Sequence, residues 1–241
     1  MDNLLGEFMG TLILVVFGCG VCANLTLSCS KGSGGGWICI SSGWALAVLF
    51  GVFTSIALGA PQADINPAVT FAKTLAGVYT GVQAVATMAA QMLGGIVGAA
   101  LVWLIYLPHW AITESQPAKL GIFSTAPAIR NLGANLLCEV ILTFLLVFLI
   151  WATFNKANGP LAPGYGPYMV AMLIWALGVS LGGPTGYAMN PARDLGPRIA
   201  HAILPIAGKG GSDWGYAWVP VVGPMLGAVL AYVVASAVHM I

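Results

Sequence analysis

Charge is what this sequence lacks. Of its 241 residues, 6% are Asp, Glu, Lys or Arg, and 59% are hydrophobic. A water-soluble domain carries about 25% charged residues, so a conventional water-facing surface is excluded. The few charges are also unevenly spread: 8–30, 32–63, 74–113, 140–155, 157–192 and 214–241 contain none. A helix that crosses a bilayer takes about 20 mostly apolar residues. Most of these stretches are long enough, and 140–155 becomes so with its flanks. They predict six spans, at roughly 4–26, 37–59, 82–107, 134–154, 165–183 and 215–238.

Other absences narrow the function. A net charge of +1 gives no reason to expect nucleic acid or an anionic partner surface. No basic region precedes the first apolar segment, which is therefore read as a first span rather than a signal peptide. There is no Ser/His pair or metal-ligand cluster, and His109, His201 and His239 fall near span ends. Neither an enzyme nor a cofactor or metal site is expected. The five cysteines, Cys19, Cys22, Cys29, Cys39 and Cys138, lie mostly in spans. Cys19 and Cys22 resemble a redox or metal pair but have no partner ligands, and are read as small packing residues. A glycosylation sequon at Asn24-Leu25-Thr26 abuts the first span and carries little weight.

What is present repeats. Asn66-Pro67-Ala68 recurs as Asn190-Pro191-Ala192. Asn3-Leu4-Leu5-Gly6-Glu7 matches Asn135-Leu136-Leu137-Cys138-Glu139, with Thr11 and Thr143 four residues after each Glu. Trp44-Ala45-Leu46-Ala47-Val48 matches Trp175-Ala176-Leu177-Gly178-Val179, and Gly94 and Gly98 match Gly223 and Gly227. The order is kept and the offset is nearly constant, so the chain is duplicated, with three spans per half. An odd number of spans inverts the second half in the membrane, a recurring design of transport proteins.

Asn is a good helix N-cap, and Pro suits the first helical position, where an N–H would be orphaned. Each motif thus reads as a helix start. The apolar stretches that follow, 69–76 and 195–204, are too short to span. Irregular backbone at membrane depth is tolerated only where it is buried in protein or lines a wet cavity. Two re-entrant loops, each returning as a half-helix, satisfy that condition. Inverted symmetry brings their N-termini together near the bilayer centre, where two partial positive charges oppose cations. Each Asn can cap its helix through its oxygen and still offer N–H donors to a passing water or alcohol, interrupting a proton-conducting water chain.

Glu7 and Glu139 are the acidic residues well inside spans. Each can accept hydrogen bonds from the backbone of a re-entrant loop and hold its carbonyls toward a pore. The alternative is a proton-relay carboxylate in a coupled transporter, against which stands the lack of an intramembrane His or Lys partner. Arg193, directly after the second motif, reads as a donor fork and cation barrier, or else as an interfacial anchor. Asp194 and Arg198 are four apart and can pair. The paired glycines allow close internal helix packing.

With both motifs, both Glu/Thr pairs and Arg193, the sequence resembles the aquaporin family, or major intrinsic proteins, over nearly its whole length. The resemblance implies an all-α membrane protein: six tilted transmembrane helices plus two re-entrant half-helices in an inverted repeat. It implies one channel domain over 1–241, with pseudo-repeats of about 1–107 and 134–241 joined by an extracellular loop, usually in a homotetramer. It also implies cytoplasmic N- and C-termini and a plasma or inner membrane location. Charge alone points the other way: that orientation leaves Lys73 and Lys156 inside but Lys31, Lys119, Arg130, Arg198 and Lys209 outside. The more specific repeat match is followed.

Within the family the chain resembles the glycerol-conducting branch, through Gly186-Tyr187-Ala188-Met189-Asn190-Pro191-Ala192-Arg193-Asp194, Phe123-Ser124-Thr125-Ala126-Pro127 and Pro220-Val221. The family's selectivity filter then maps onto Trp44, Gly178, Tyr187 and Arg193. Gly178 has no side chain to close the constriction, where water-selective members usually carry a His. Trp44 and Tyr187 can face a polyol's carbons, and Arg193 its hydroxyls. The expected function is a passive channel for glycerol and other small neutral solutes, also passing water. Alternatives are a channel mainly for water, urea, ammonia or peroxide, or a coupled secondary transporter using Glu7 and Glu139.

Two positions depart from the pattern. Tyr187 stands where Phe is usual, so its hydroxyl either narrows the filter or adds a hydrogen bond. The first loop, 59–66, is about two residues longer than usual, with Asp64 at the place of a His. Asp64 either caps or adjusts the loop, or modulates the cytoplasmic mouth by pH or cation binding.

Overall fold

A computed structural model describes residues 2–241. Ten α-helices make up the described chain: α1 (Leu4–Thr26), α2 (Gly36–Ala57), α3 (Pro67–Leu75), α4 (Gly81–Ile105), α5 (Leu107–Ile112), α6 (Gln116–Phe123), α7 (Leu132–Thr153), α8 (Tyr165–Leu181), α9 (Pro191–Ile203) and α10 (Val219–Ala237). Five of them, α1, α2, α4, α7 and α10, are long and apolar enough to cross a membrane. The sixth expected span, α8, is apolar but has 17 residues. It ends at Gly182, where the chain turns into the second motif loop. The short helices α5 and α6 in the central connection were not foreseen in the sequence.

The half-helices begin where the capping chemistry requires. Asn66 has extended backbone, and its side chain accepts from Ala68 N. Asn190 does the same toward Ala192 N and Arg193 N. Proline follows in each case at the first helical position, where its missing N–H costs nothing. Thr80 and Gln83 form a reciprocal capping box that starts α4.

Within each half the first and third spans pack together, α1 on α4 and α7 on α10. The glycine pairs allow this. A Cβ built on Gly94 would lie 2.3 Å from Phe8 O, and one on Gly227 would lie 2.5 Å from Val140 O. Between halves the half-helices are exchanged: α9 packs on α4, and α3 on α10. Each half-helix is thus held by the third span of the opposite repeat, which fixes the two motif loops against one another. The outer surface is apolar, with Val82 and Val85 each 69% exposed. Such a surface suits lipid or another copy of the chain rather than water.

Candidate pore

The two motif asparagines are tied crosswise. Asn66 Nδ2 donates to Met189 O at 2.9 Å, and Asn190 Nδ2 donates to Ile65 O at 2.8 Å. Their Oδ1 atoms accept from Ala68 N and Ala192 N, both at 2.9 Å. A side-chain amide has two N–H donors. One holds the opposite loop, which leaves one on each Asn for the lumen.

The loops leading to them follow the same path. Ala63 and Ile65 in the first, and Tyr187 and Met189 in the second, have φ of +43°, +44°, +41° and +51°. Left-handed backbone is costly for residues with a Cβ and persists only where the surroundings impose it. Here two carboxylates do so. Glu7 accepts from Asp64 N, Ile65 N and Gln91 Nε2, each at 2.8 Å. Glu139 accepts from Ala188 N at 3.1 Å, Met189 N at 2.9 Å and Thr185 Oγ1 at 2.6 Å. Both carboxylates are fully buried, and their oxygens are committed to these donors.

The atypical first loop therefore joins the repeat in register. Just upstream, Ala63 N closes a turn by donating to Ala60 O at 3.1 Å. Asp64 occupies the position of Ala188, and its side chain is entirely buried. Its carboxylate accepts from Thr70 Oγ1 at 2.9 Å and Tyr79 OH at 2.8 Å, and pairs with Lys73 Nζ at 2.5 Å. The ammonium also donates to Gln62 O and Oε1, at 3.2 and 3.0 Å.

A cavity of about 450 Å³ runs past these groups. Gln62 and Lys73 line it toward α3's C-terminal end, Asn66 and Asn190 further along, and Trp44, Tyr187 and Arg193 beyond them. Its walls are otherwise mostly aliphatic and aromatic.

Beyond the motifs, the Arg193 guanidinium lies 3.9 Å from the Trp44 ring centroid, a close cation–π contact. Tyr187 completes the wall. Gly178 stands behind it: a Cβ there would lie 2.8 Å from Tyr187 Cζ and 2.9 Å from its hydroxyl. The space that Gly178 leaves open is thus filled by the phenol. The Tyr187 hydroxyl is buried there, turned toward α8. The four filter residues expected from the sequence form one cluster, in which Gly178 acts as a seat.

Asp194 and Arg198 pair as their spacing suggested, at 2.9 Å and fully buried. Asp194 also accepts from Thr125 N and Oγ1, both at 2.6 Å. Arg198 donates to Ser212 O at 2.8 Å and Thr125 O at 3.0 Å. The central connection is thereby clamped onto α9. On the exposed side of that clamp, Arg130 Nη1 and Nη2 donate to both oxygens of Asp213, at 2.9 and 2.8 Å. That pairing holds the Asp213 carboxyl below the usual carboxylate range.

Sequence reasoning missed three residues of this site. Gln91 donates to both Glu7 and Thr70. Trp37 Nε1 donates to Gly178 O at 2.8 Å, and its ring meets that of Tyr187 edge-on at 5.8 Å. Gly18 lies against Trp44. A polar amide in the middle of an apolar span was the signal for Gln91. Nothing in the pattern distinguished the other two.

The family model described as Major intrinsic protein matches residues 1–235. The chain belongs to the major intrinsic protein family. This major intrinsic protein is 49% identical to the "Probable glycerol uptake facilitator protein" of Thermotoga maritima over 230 residues, 95% of this chain and 96% of that one. It is 51% identical to "Glycerol uptake facilitator protein 3" of Lactiplantibacillus plantarum over 228 residues, covering 95% and 93%. Among solved structures it resembles the aquaglyceroporin from Plasmodium falciparum, with a TM-score of 0.87 and 30% identity over 99% of this chain and 96% of that one.

Proposed function

We propose that this major intrinsic protein is a passive channel for glycerol and other small neutral solutes that also passes water and excludes ions and protons. The observation that carries the reading is the one-sided filter: an apolar corner of Trp44 and Tyr187 set against the Arg193 guanidinium. A polyol has carbons on one face and hydroxyls on the other, and this lining suits both. The names borne by its relatives, glycerol uptake facilitators in two bacteria and an aquaglyceroporin in a third organism, support the same solute class. The protein is a channel rather than an enzyme.

Further down the cavity, the free N–H of Asn66 and of Asn190 holds the oxygen of a passing molecule, and two half-helix N-termini oppose cations. Glu7 and Glu139 serve as loop supports. Each carboxylate accepts three hydrogen bonds from fixed donors, and neither has a His or Lys partner to pass a proton to. Asp64 likewise fixes the loop. The chain acts as a single channel domain in a cell membrane, with both termini cytoplasmic, and assembles as a homotetramer.

Stopped-flow light scattering on proteoliposomes tests this. Glycerol flux well above that of empty vesicles is expected, without accumulation against a gradient. Fast water flux with no glycerol flux overturns the solute assignment in favour of a channel mainly for water, a reading that the Tyr187 phenol in the filter would explain. Gradient-driven accumulation would instead indicate a coupled transporter.

A further inference from the structure

The two aromatic walls of the filter rest on glycines outside the lumen. Tyr187 sits on Gly178 and Gly182 of the α8 C-terminal turn, and Trp44 sits on Gly18 of α1. The second contact is the tighter. A Cβ on Gly18 would lie 2.2 Å from Trp44 Cζ3 and 2.4 Å from both Cε3 and Cη2. Atoms do not approach that closely, so any residue but glycine at position 18 moves the indole. Gly18 is also in the middle of a helix, where Ala is the better helix former. Local propensity therefore gives no reason for a glycine there, whereas the ring it accommodates does.

The direction of the displacement follows from the packing. Trp44 is 4% exposed and belongs to the same core cluster as Val15, Cys19 and Cys22 of α1. Protein interiors are close-packed and yield little. The free volume next to the ring is the cavity, with the Arg193 guanidinium 3.9 Å from the ring centroid. The guanidinium is already in contact with the ring, so an indole pushed off Gly18 shifts into the passage that both line.

We propose that Gly18 is a specificity-determining residue: by letting Trp44 sit back against α1, it sets the bore of the passage that Trp44, Tyr187 and Arg193 line, and hence the largest solute that passes. This rests on the glycerol reading above for the identity of that solute. Gly18 touches no permeating molecule and acts only through Trp44, so its effect falls on the ratio of large to small permeants rather than on flux as a whole.

The test compares glycerol and water permeability in the same proteoliposomes. Gly18→Ala is expected to lower the glycerol-to-water ratio by at least about tenfold, as even a modest overpacking penalty placed on the barrier would. Gly18→Ala combined with Trp44→Phe, whose smaller ring no longer reaches the added methyl, is expected to recover most of the ratio shown by Trp44→Phe alone. A ratio unchanged by Gly18→Ala overturns the proposal, and so does a double variant that shows the full Gly18→Ala loss. If Gly18→Ala does not fold, folding of the double variant supports the contact, and failure of both overturns it in favour of a helix-packing role. An unaltered protein that conducts no glycerol removes the functional reading alone. The ratio is then measured with urea, or with the largest solute that the unaltered protein passes, and the same outcomes apply.

Discussion

The buried Asp64 carboxylate pairs with Lys73 at 2.5 Å in the first half, and Asp194 pairs with Arg198 at 2.9 Å in the second. The pairs are not at equivalent sequence positions, yet each binds a half-helix to the segment beside it. Asp64 stands in the loop before α3 and Lys73 in its last turn. Asp194 stands in the first turn of α9 and joins it to the central connection through Thr125.

A buried carboxylate that loses its cation is left charged in a poor solvent. Lys73→Met should therefore destabilise the protein by up to roughly 3 kcal/mol, the low end of the cost of breaking a buried pair. Asp64→Asn combined with Lys73→Met removes both charges and should recover most of that loss. Thermal melting in detergent measures both. A melting point for Lys73→Met equal to that of the unaltered protein would show that the pair does not hold α3.

Gly178 makes a different prediction from the one its size suggests. The sequence reads it as a widening of the constriction, but the Tyr187 phenol occupies the space. Gly178→Ala should therefore act by displacing Tyr187 into the passage. Glycerol flux should fall by about tenfold, with water flux reduced far less, and Gly178→His should do the same more severely. Adding Tyr187→Ala should relieve much of the Gly178→Ala effect. Undiminished glycerol flux in both single variants would count against the seat.

The membrane class, the duplication and the half-helix starts were legible because each has local chemistry: missing charge, repeated motifs, and the Asn-Pro cap. The boundaries of α1 and α7 followed from hydropathy to within two residues. The path of 59–66 was not legible. Asp64 and the longer loop left its course open, whereas the fixed donors offered to Glu7 give the same left-handed pattern as in the second loop. Lys73 read only as a charge for assigning sides, because its partner depends on how that loop folds. The helices α5 and α6 went unseen because short connections carry too few residues to show a period. The roles of Gly18 and Trp37 arise only when α1, α2 and α8 converge, and no single segment encodes them.

The Arg130–Asp213 pair carries the pH dependence of the exposed loops. Arg130 holds the Asp213 carboxyl below its ordinary value. A lowered carboxylate pKa contributes stability above the unfolded value, near about 3.9 for Asp, and that contribution is lost as pH falls through the folded value. The tether should thus persist through neutral and mildly acidic conditions and release only in acid below the usual carboxylate range. Limited proteolysis within 207–216 should show protection that is flat from neutral pH into mild acid. Arg130→Ala should remove part of it at neutral pH, since Arg198 still donates to Ser212 O and Asp213 O. Because the pair is largely exposed, its effect on global melting should be small.

Trp37 gives the most selective prediction. Its indole N–H donates to Gly178 O, an atom that also accepts from Gly182 N at 3.2 Å in the closing turn of α8. Its ring stands edge-on to Tyr187 at 5.8 Å, and a Cβ on Gly182 would meet Trp37 Cζ2 at 2.7 Å. Trp37 thus pins the turn that seats Tyr187. Trp37→Phe keeps an aromatic edge but removes the donor, so the turn loosens while the wall remains. Discrimination between glycerol and longer polyols should weaken by a few-fold, since one neutral hydrogen bond contributes about 1 kcal/mol. Water flux and melting temperature should change little. Equal polyol discrimination in Trp37→Phe and the unaltered protein would leave Trp37 as an interfacial aromatic with no part in the filter.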